Sequence, residues 1–376
     1  MTYYLFPKAF IHPFMSTDPI SESEQNFSPS LRFYLSDILQ QLHKIGYIDH
    51  LSNAYHFLYN SNGSEGSDVS SKMISKINVL GTNRLFYYEL LELFQTVHLS
   101  MDMYYPIRIF FIGERNMNMS ALQCIQRIRN QSISDEYHLF SSDLESDSNV
   151  TIHPSGDTYL TIENLERCIV ENESSMELII SDALLPFMGE THDYIQQYEY
   201  QTTRIAMLQV CFALCMQKKN GIFILKLGDC FSPLSVDLVC IISSFYNKTY
   251  FTKPTVSNSS SSCRFIVCKG FMHDNVKEYH PILLDMFKNV LSSGVFGTDS
   301  NTRLSRFVKW NISKMFIMKV EEMNSIFGQP QLEQLQHIHS ILTHKYKNDK
   351  TNHLIKTNMQ KCIQWCIKHK IPFRNI

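Results

Sequence analysis

The sequence contains no long apolar run. Its most apolar windows, Ile205–Cys215 and Leu234–Phe245, have the length of core helices, short of the roughly 20 residues a membrane-spanning helix needs. It also has no CxxC pair. Ten cysteines are scattered, and Cys211/Cys215 and Cys362/Cys366 are each spaced four apart, on one helix face. A disulfide framework is not expected, and two thiols with only His369 nearby are too few for zinc, so no metal is assigned; the expectation is reduced thiols in an intracellular protein. Glycine (13) and proline (12) are too scarce for a collagenous or low-complexity chain. MTYYLFPKAF has no basic segment leading into an apolar stretch, so no secretory leader is expected. A strong net charge is missing too: 34 Lys and Arg stand against 36 Asp and Glu, which excludes a polycation wrapped on nucleic acid.

What is present is a globular composition, 44% hydrophobic and 19% charged over 376 residues, enough for one large domain or two ordinary ones. The near-neutral total hides an asymmetry. Residues 301–376 hold 13 Lys and Arg against 4 Asp and Glu, so a basic C-terminal segment follows an acidic body.

Along the chain, residues 1–30 are Ser- and Pro-rich and read as an irregular arm. Residues 31–59 carry apolar positions at helical spacing and read as a helix pair broken at Gly46, followed by a flexible linker, NSNGSEGSDVSS. After a helix at 83–99 the pattern alternates: strand 107–113, helix 119–128, strand 137–142, helix 161–170, strand 176–181, helix 194–217, strand 221–227, helix 233–245. Two strands, 249–254 and 263–271, then follow without a helix between them. This predicts an α/β fold: a doubly wound, Rossmann-like sheet, parallel except for an antiparallel last strand, with helical N- and C-terminal extensions. The expected division is 1–81, 82–271 and 272–376, the last with helices at 331–344 and 351–370. Ligands of such sheets bind beyond the carboxyl ends of the strands, which directs attention to the positions after Gly113, Ser142, Ser181 and Leu227.

Two residues at those ends have no packing reason to be there. Asp182 closes the strand MELIIS. Lys226 lies inside GIFILKL among apolar neighbours, and a lysine in such a strand is rarely buried without a partner. At equivalent depths on adjacent strands each can neutralise the other, either as a plain ion pair or as a reaction centre.

These residues stand within longer motifs. Lys226-x-x-Asp-x-Phe-Ser-Pro-x-Ser, and Lys253-Pro followed by the serine run and Val-Cys-Lys-Gly to 270, in order after Ser181-Asp182, resemble the core of the FtsJ-like RNA ribose 2'-O-methyltransferases. The resemblance is greatest to the eukaryotic and large-virus enzymes that methylate capped mRNA. It implies S-adenosylmethionine as cofactor and a Lys-Asp-Lys-Glu tetrad, of which Asp182 and Lys226 supply the aspartate and second lysine. A ribose hydroxyl is a poor nucleophile and needs alignment and a nearby amine of lowered pKa.

The match also implies departures. Tyr88 stands where the family has its first lysine, Cys263 where it has its glutamate, and the Gly-x-x-Gly-Gly cofactor loop keeps only Gly113, followed by Glu114. Lys72 or Lys76 could replace the missing amine. Further cofactor contacts are expected at Asp143 and Asp157. RNA contacts are expected at Arg84, Lys253, Ser257, Ser262 and Arg264, and the basic tail, with His337, His339, His344, Trp310 and Trp365, could add to them. The implied function is methyl transfer to a ribose of capped mRNA, with a partner subunit of a capping complex and no membrane; the alternative is an inactive pseudo-methyltransferase that binds RNA or stabilises a complex. A cytoplasmic setting follows, in a host cell or a virion if the source is viral, with the nucleus left open.

Overall fold

The computed structural model describes residues 2–9, 26–45, 53–59, 74–77, 79, 84–97, 105–129, 134–141, 149–154, 158–185, 194–293, 304–309, 311–343 and 347–374. Eight strands form one sheet: β1 (Thr2–Phe6), β2 (Arg108–Ile112), β3 (Glu136–Phe140), β4 (Val150–His153), β5 (Met176–Asp182), β6 (Gln217–Leu227), β7 (Tyr246–Lys253) and β8 (Arg264–Phe271), in the order β1-β7-β8-β6-β5-β2-β3-β4. Strands β2 to β6 pair in parallel, and β8 runs antiparallel to both β6 and β7. The doubly wound sheet with an inverted last strand read from the sequence is present.

The arm expected over residues 1–30 is not irregular at its start, because Thr2–Phe6 adds an antiparallel edge strand to β7. Residues 150–153, assigned to no element from the sequence, form the opposite edge. Of the second helix expected before residue 59, residues 46–52 lie outside the described residues, and the described part holds a 3-10 turn at His56–Leu58.

Helices cover both faces. On one face the core is built from α4 (Ile162–Asn172), α5 (Tyr194–Met216), α6 (Pro233–Phe245), α7 (His280–Ser292) and α8 (Lys314–Thr343). On the other it is built from α2 (Arg84–Thr96), α3 (Arg115–Ile128) and α9 (Lys347–Lys368). The first helix, α1 (Pro29–Ile45), packs through Leu35, Ile38 and Leu42 against Leu335, Ile338 and Leu342 of α8. Gly328 lies under the Leu31 side chain there: an added Cβ would lie 2.6 Å from its terminal methyl, so Leu31 would have to shift. Helix α8 begins 17 residues before the expected helix at 331 and runs through Pro330. Local signals start α6: Ser232 caps it by accepting from the Ser235 amide, and Pro233 opens its first turn, where no amide donor is needed.

The strand order reverses between β2 and β5. This places a crevice beyond their carboxyl ends, at Gly113 and Asp182, where open α/β sheets bind ligands. No described helix is long and apolar enough to cross a membrane.

Candidate active site

The parallel register sets Asp182 directly beside Lys226. Their charged ends are 3.8 Å apart and nearly closed to solvent, with side-chain exposures of 9% and 7%. Lys226 has a nearer partner, however. Its Nζ donates to Oε2 of Glu89 on α2 at 2.7 Å, and Glu89 is 1% exposed. The other oxygen of Glu89 accepts from the Ser257 hydroxyl at 2.7 Å and lies 3.8 Å from Cys263 Sγ. The rings of Phe86 and Phe265 stand 5.2 and 5.8 Å from the ammonium. Burial alone would lower the Lys226 pKa, yet its surroundings of Cys263, Glu89 and Asp182 hold it well above the ordinary lysine value. Burial pushes the Cys263 thiol far up, so that group is neutral and the two carboxylates carry the effect. Asp182 moves the opposite way from an ordinary paired aspartate. Burial raises its pKa to about 6, against the opposing pull of Lys226 and of the Leu184 amide, which donates to Oδ1 at 2.8 Å.

Of the residues predicted from sequence, Asp182, Lys226, Cys263 and Ser257 therefore meet around one carboxylate that was not predicted. Tyr88, expected in this centre, is not in the cluster. Its hydroxyl donates to Ser75 at 2.8 Å, its ring meets Trp365, and burial pushes its pKa up to about 12. The next residue on the helix, Glu89, faces Lys226 instead. One turn further, Glu92 accepts the amides of Thr255 (2.8 Å) and Val256 (3.0 Å) and the Trp365 indole N–H (3.0 Å). Burial works to raise its pKa, and these donors overcome that and keep it below the usual glutamate value. The exposed Lys76 pairs through its backbone amide with Pro372, outside the cluster.

Of the residues expected to face RNA, Ser257 and Arg264 are buried, and Arg84, Lys253 and Ser262 are half-buried. Arg264 is a correction: it is 1% exposed, paired with Asp229 at 2.7 Å and bonded to Asn324 at 3.1 Å. Ser257 is 3% exposed and spent on Glu89. Lys253 donates to the Ser261 and Ser259 carbonyls of its own loop at 2.6 and 3.4 Å, and burial lowers its pKa to about 8. Arg84 donates to the Tyr59 carbonyl at 3.3 Å, and Ser262 is half-buried beside Gly228. In the C-terminal segment His369 bonds Gln95 and its ring lies over Trp365.

At the carboxyl end of β2 the retained glycine does not leave open space. A Cβ built on Gly113 would lie 1.9 Å from the methyl of Met117 and 3.4 Å from Asn118 Oδ1. Asn118 Nδ2 donates to the Gly113 and Phe140 carbonyls at 2.8 and 3.2 Å, joining the ends of β2 and β3. Tyr159 stacks on Phe140. Its hydroxyl accepts from Gln209, which also donates to the Asp182 carbonyl at 2.7 Å. Glu114 is exposed just outside, in the N-cap position of α3, without a side-chain capping bond. Asp143 and Asp157, like Lys72, Trp310 and His344, lie outside the described residues.

The fold and these motifs define a methyltransferase domain. Residues 108–271 match the family model described as FtsJ-like methyltransferase, and the chain carries an FtsJ-like domain over that span. Among similar proteins are the cap-specific mRNA (nucleoside-2'-O-)-methyltransferase 1A of Caenorhabditis briggsae, 28% identical over 50% of this chain and 20% of that protein, and the inactive cap-specific mRNA (nucleoside-2'-O-)-methyltransferase 1B of the same organism, 28% identical over 50% of this chain and 22% of that protein. The cap-specific enzyme 1 of Trypanosoma brucei brucei is 26% identical over 51% of this chain and 49% of that protein. The chain thus spans less than half the length of each of these relatives.

FtsJ-like methyltransferases use S-adenosylmethionine. The described residues beyond β2 do not fit that group. A cofactor cradle needs backbone that side chains leave bare, and here Met117 lies against Gly113 while Asn118 and Tyr159 bridge the neighbouring strand ends.

Proposed function

We propose that this chain is a non-catalytic relative of the cap-specific mRNA 2'-O-methyltransferases, its fold kept to bind RNA or to stabilise a complex. The observation that carries this reading is the Lys226–Glu89 pair: 2.7 Å long, closed to solvent and roofed by two phenyl rings. A lysine that helps a hydroxyl lose its proton needs a lowered pKa and access to the substrate. Lys226 has a raised pKa and 7% exposure. The Met117 side chain packed against Gly113 supports the same conclusion independently.

One observation favours the opposite reading, an active enzyme: Asp182 and Lys226 keep their register at the carboxyl ends of adjacent strands. Methyl transfer from labelled S-adenosylmethionine to capped RNA separates the two. No transfer above a Lys226→Ala control, and no saturable cofactor binding by calorimetry, is the expected result. Turnover that depends on Lys226 would overturn the proposal. Capped RNA is the ligand to test for retained binding, because the similar proteins are cap-specific mRNA methyltransferases.

A further inference from the structure

Positive charge gathers without relief at the end of the chain. Residues 350–376 hold six Lys and Arg and no Asp or Glu. Helix α9 sorts them to one side. Its inner face buries Cys362, Trp365 and Cys366 in the core shared with α2, where the Trp365 indole reaches Glu92. Lys361, Gln364 and Lys368 recur at i, i+3 and i+7 on the opposite face and are exposed, and Lys356 is exposed earlier on the helix. Beyond the helix Lys370 and Arg374 are exposed as well. A short backbone ladder adds one more cation: the Lys76 amide donates to the Pro372 carbonyl and the Arg374 amide to the Ile74 carbonyl, both at 2.9 Å, and Lys76 is exposed. Among the described residues no ion pair engages any of these cations.

Lys370 holds its place at a conformational cost. Helix α9 closes with two bonds, from the Ile371 amide to the Cys366 carbonyl at 2.8 Å and from the Lys370 amide to the Ile367 carbonyl at 3.2 Å. In that closure residue 370 is left-handed, with φ of 55°, a conformation that glycine adopts freely and a side chain resists. An ammonium is kept where glycine would hold the turn more firmly.

We infer that this face holds an RNA strand by its phosphates, a surface that rests on the RNA-binding arm of the function proposed above. The make-up of the face selects this occupant. A helix lying on a membrane needs an apolar side turned to lipid, and that side of α9 is already buried. A protein interface needs an apolar centre, and Ile367 is the one large exposed hydrophobic of α9 among the described residues. Phosphates need only cations and amide or hydroxyl donors, which Lys361, Gln364 and Lys368 supply in line.

Fluorescence anisotropy of a labelled capped RNA titrated with the full chain, repeated over a range of salt, tests this. Affinity should fall steeply as salt rises. The triple variant Lys361→Ala, Lys368→Ala, Arg374→Ala should bind roughly a hundredfold more weakly at about 0.1 M salt, with a salt slope shallower by about 2, while its circular dichroism is unchanged. Removing three exposed lysines elsewhere, by Lys44→Ala, Lys277→Ala and Lys288→Ala, should leave the slope as it is. Lys370→Gly should lower the affinity about fivefold and raise the thermal midpoint, a pair of effects that a merely structural lysine would not give. It also serves alone if the triple variant does not fold. RNA binding that is equal in the natural chain and both variants would overturn the inference and leave RNA binding itself standing. No RNA binding by the natural chain would overturn the inference together with the RNA-binding arm. Binding of poly-L-glutamate but not of RNA would give the face to an acidic protein and overturn the inference.

Discussion

The two halves of the crevice depart from the family pattern by opposite routes. At the carboxyl end of β2 and β3 the change is one of volume: Met117, Asn118 and Tyr159, all uncharged, occupy space and tie strand ends together. At the carboxyl end of β5 and β6 the aspartate and one lysine persist, Tyr88 and Cys263 stand at the other two positions, and a carboxylate comes in from α2 instead. Glu89 takes the lysine that Asp182 alone would otherwise face. On the function proposed above, a centre can keep its aspartate and one lysine and still close that lysine off from a substrate. A buried lysine is tolerated because carboxylates surround it, and once so held it serves to brace α2 against the sheet.

The largest effect should come from breaking the charged half. Lys226→Ala leaves Glu89 buried without its cation and should cost about 3–5 kcal/mol in chemical denaturation. The double replacement Lys226→Met, Glu89→Gln, which removes both charges, should cost less than the single one. If Lys226→Ala is nearly neutral, the brace is not structural and the contrast between the halves fails.

A carboxylate without a cation sharpens the comparison. Glu199 on α5 accepts the Phe231 and Ser232 amides and the Ser235 hydroxyl through one oxygen, and burial raises its pKa to about 7 despite those donors. Between about pH 4 and 7 the folded chain therefore holds a proton here that the unfolded chain has released. The stability this gives is present at the acid end and is lost as pH rises through 7. Relative to Glu199→Gln, the natural chain should lose on the order of 2 kcal/mol between pH 5 and 8. A difference that does not vary with pH would show that Glu199 stays ionised throughout.

The smallest effect belongs to the uncharged half. Asn118→Ala removes two hydrogen bonds to buried carbonyls and should cost about 1–2 kcal/mol, less than the loss at Lys226. Equal losses would mean that volume and charge matter alike.

Much of this architecture was legible in the sequence, because long elements advertise their period. The buried strand IFILKL and the helix from Pro233 to Phe245 lie where the pattern places them. Short edge strands do not. β1 and β4 have five and four residues, too few for alternation to stand out. Polar Lys218, Lys219 and Asn220 hid the first part of β6. In the site, Asp182 and Lys226 were found because each breaks an apolar strand. Glu89 was missed although the same test finds it: RLFYYELLELF carries two glutamates three apart on a face otherwise made for burial. Alignment to the family's missing lysine pointed to Tyr88, while helix geometry turned its neighbour inward. The inward turn of Arg264 depends on Asp229 and on Asn324 of α8, contacts 35 and 60 residues away that no local pattern shows.

Glu92 is a junction of three parts of the chain: its own helix, the backbone at Thr255 and Val256, and the indole of Trp365. The tail after the sheet is therefore no detachable appendage. A truncation ending ahead of Trp365 would strip a donor from an enclosed anion and loosen the serine-rich turn above it, so shortening the protein at its far end would be felt at its centre.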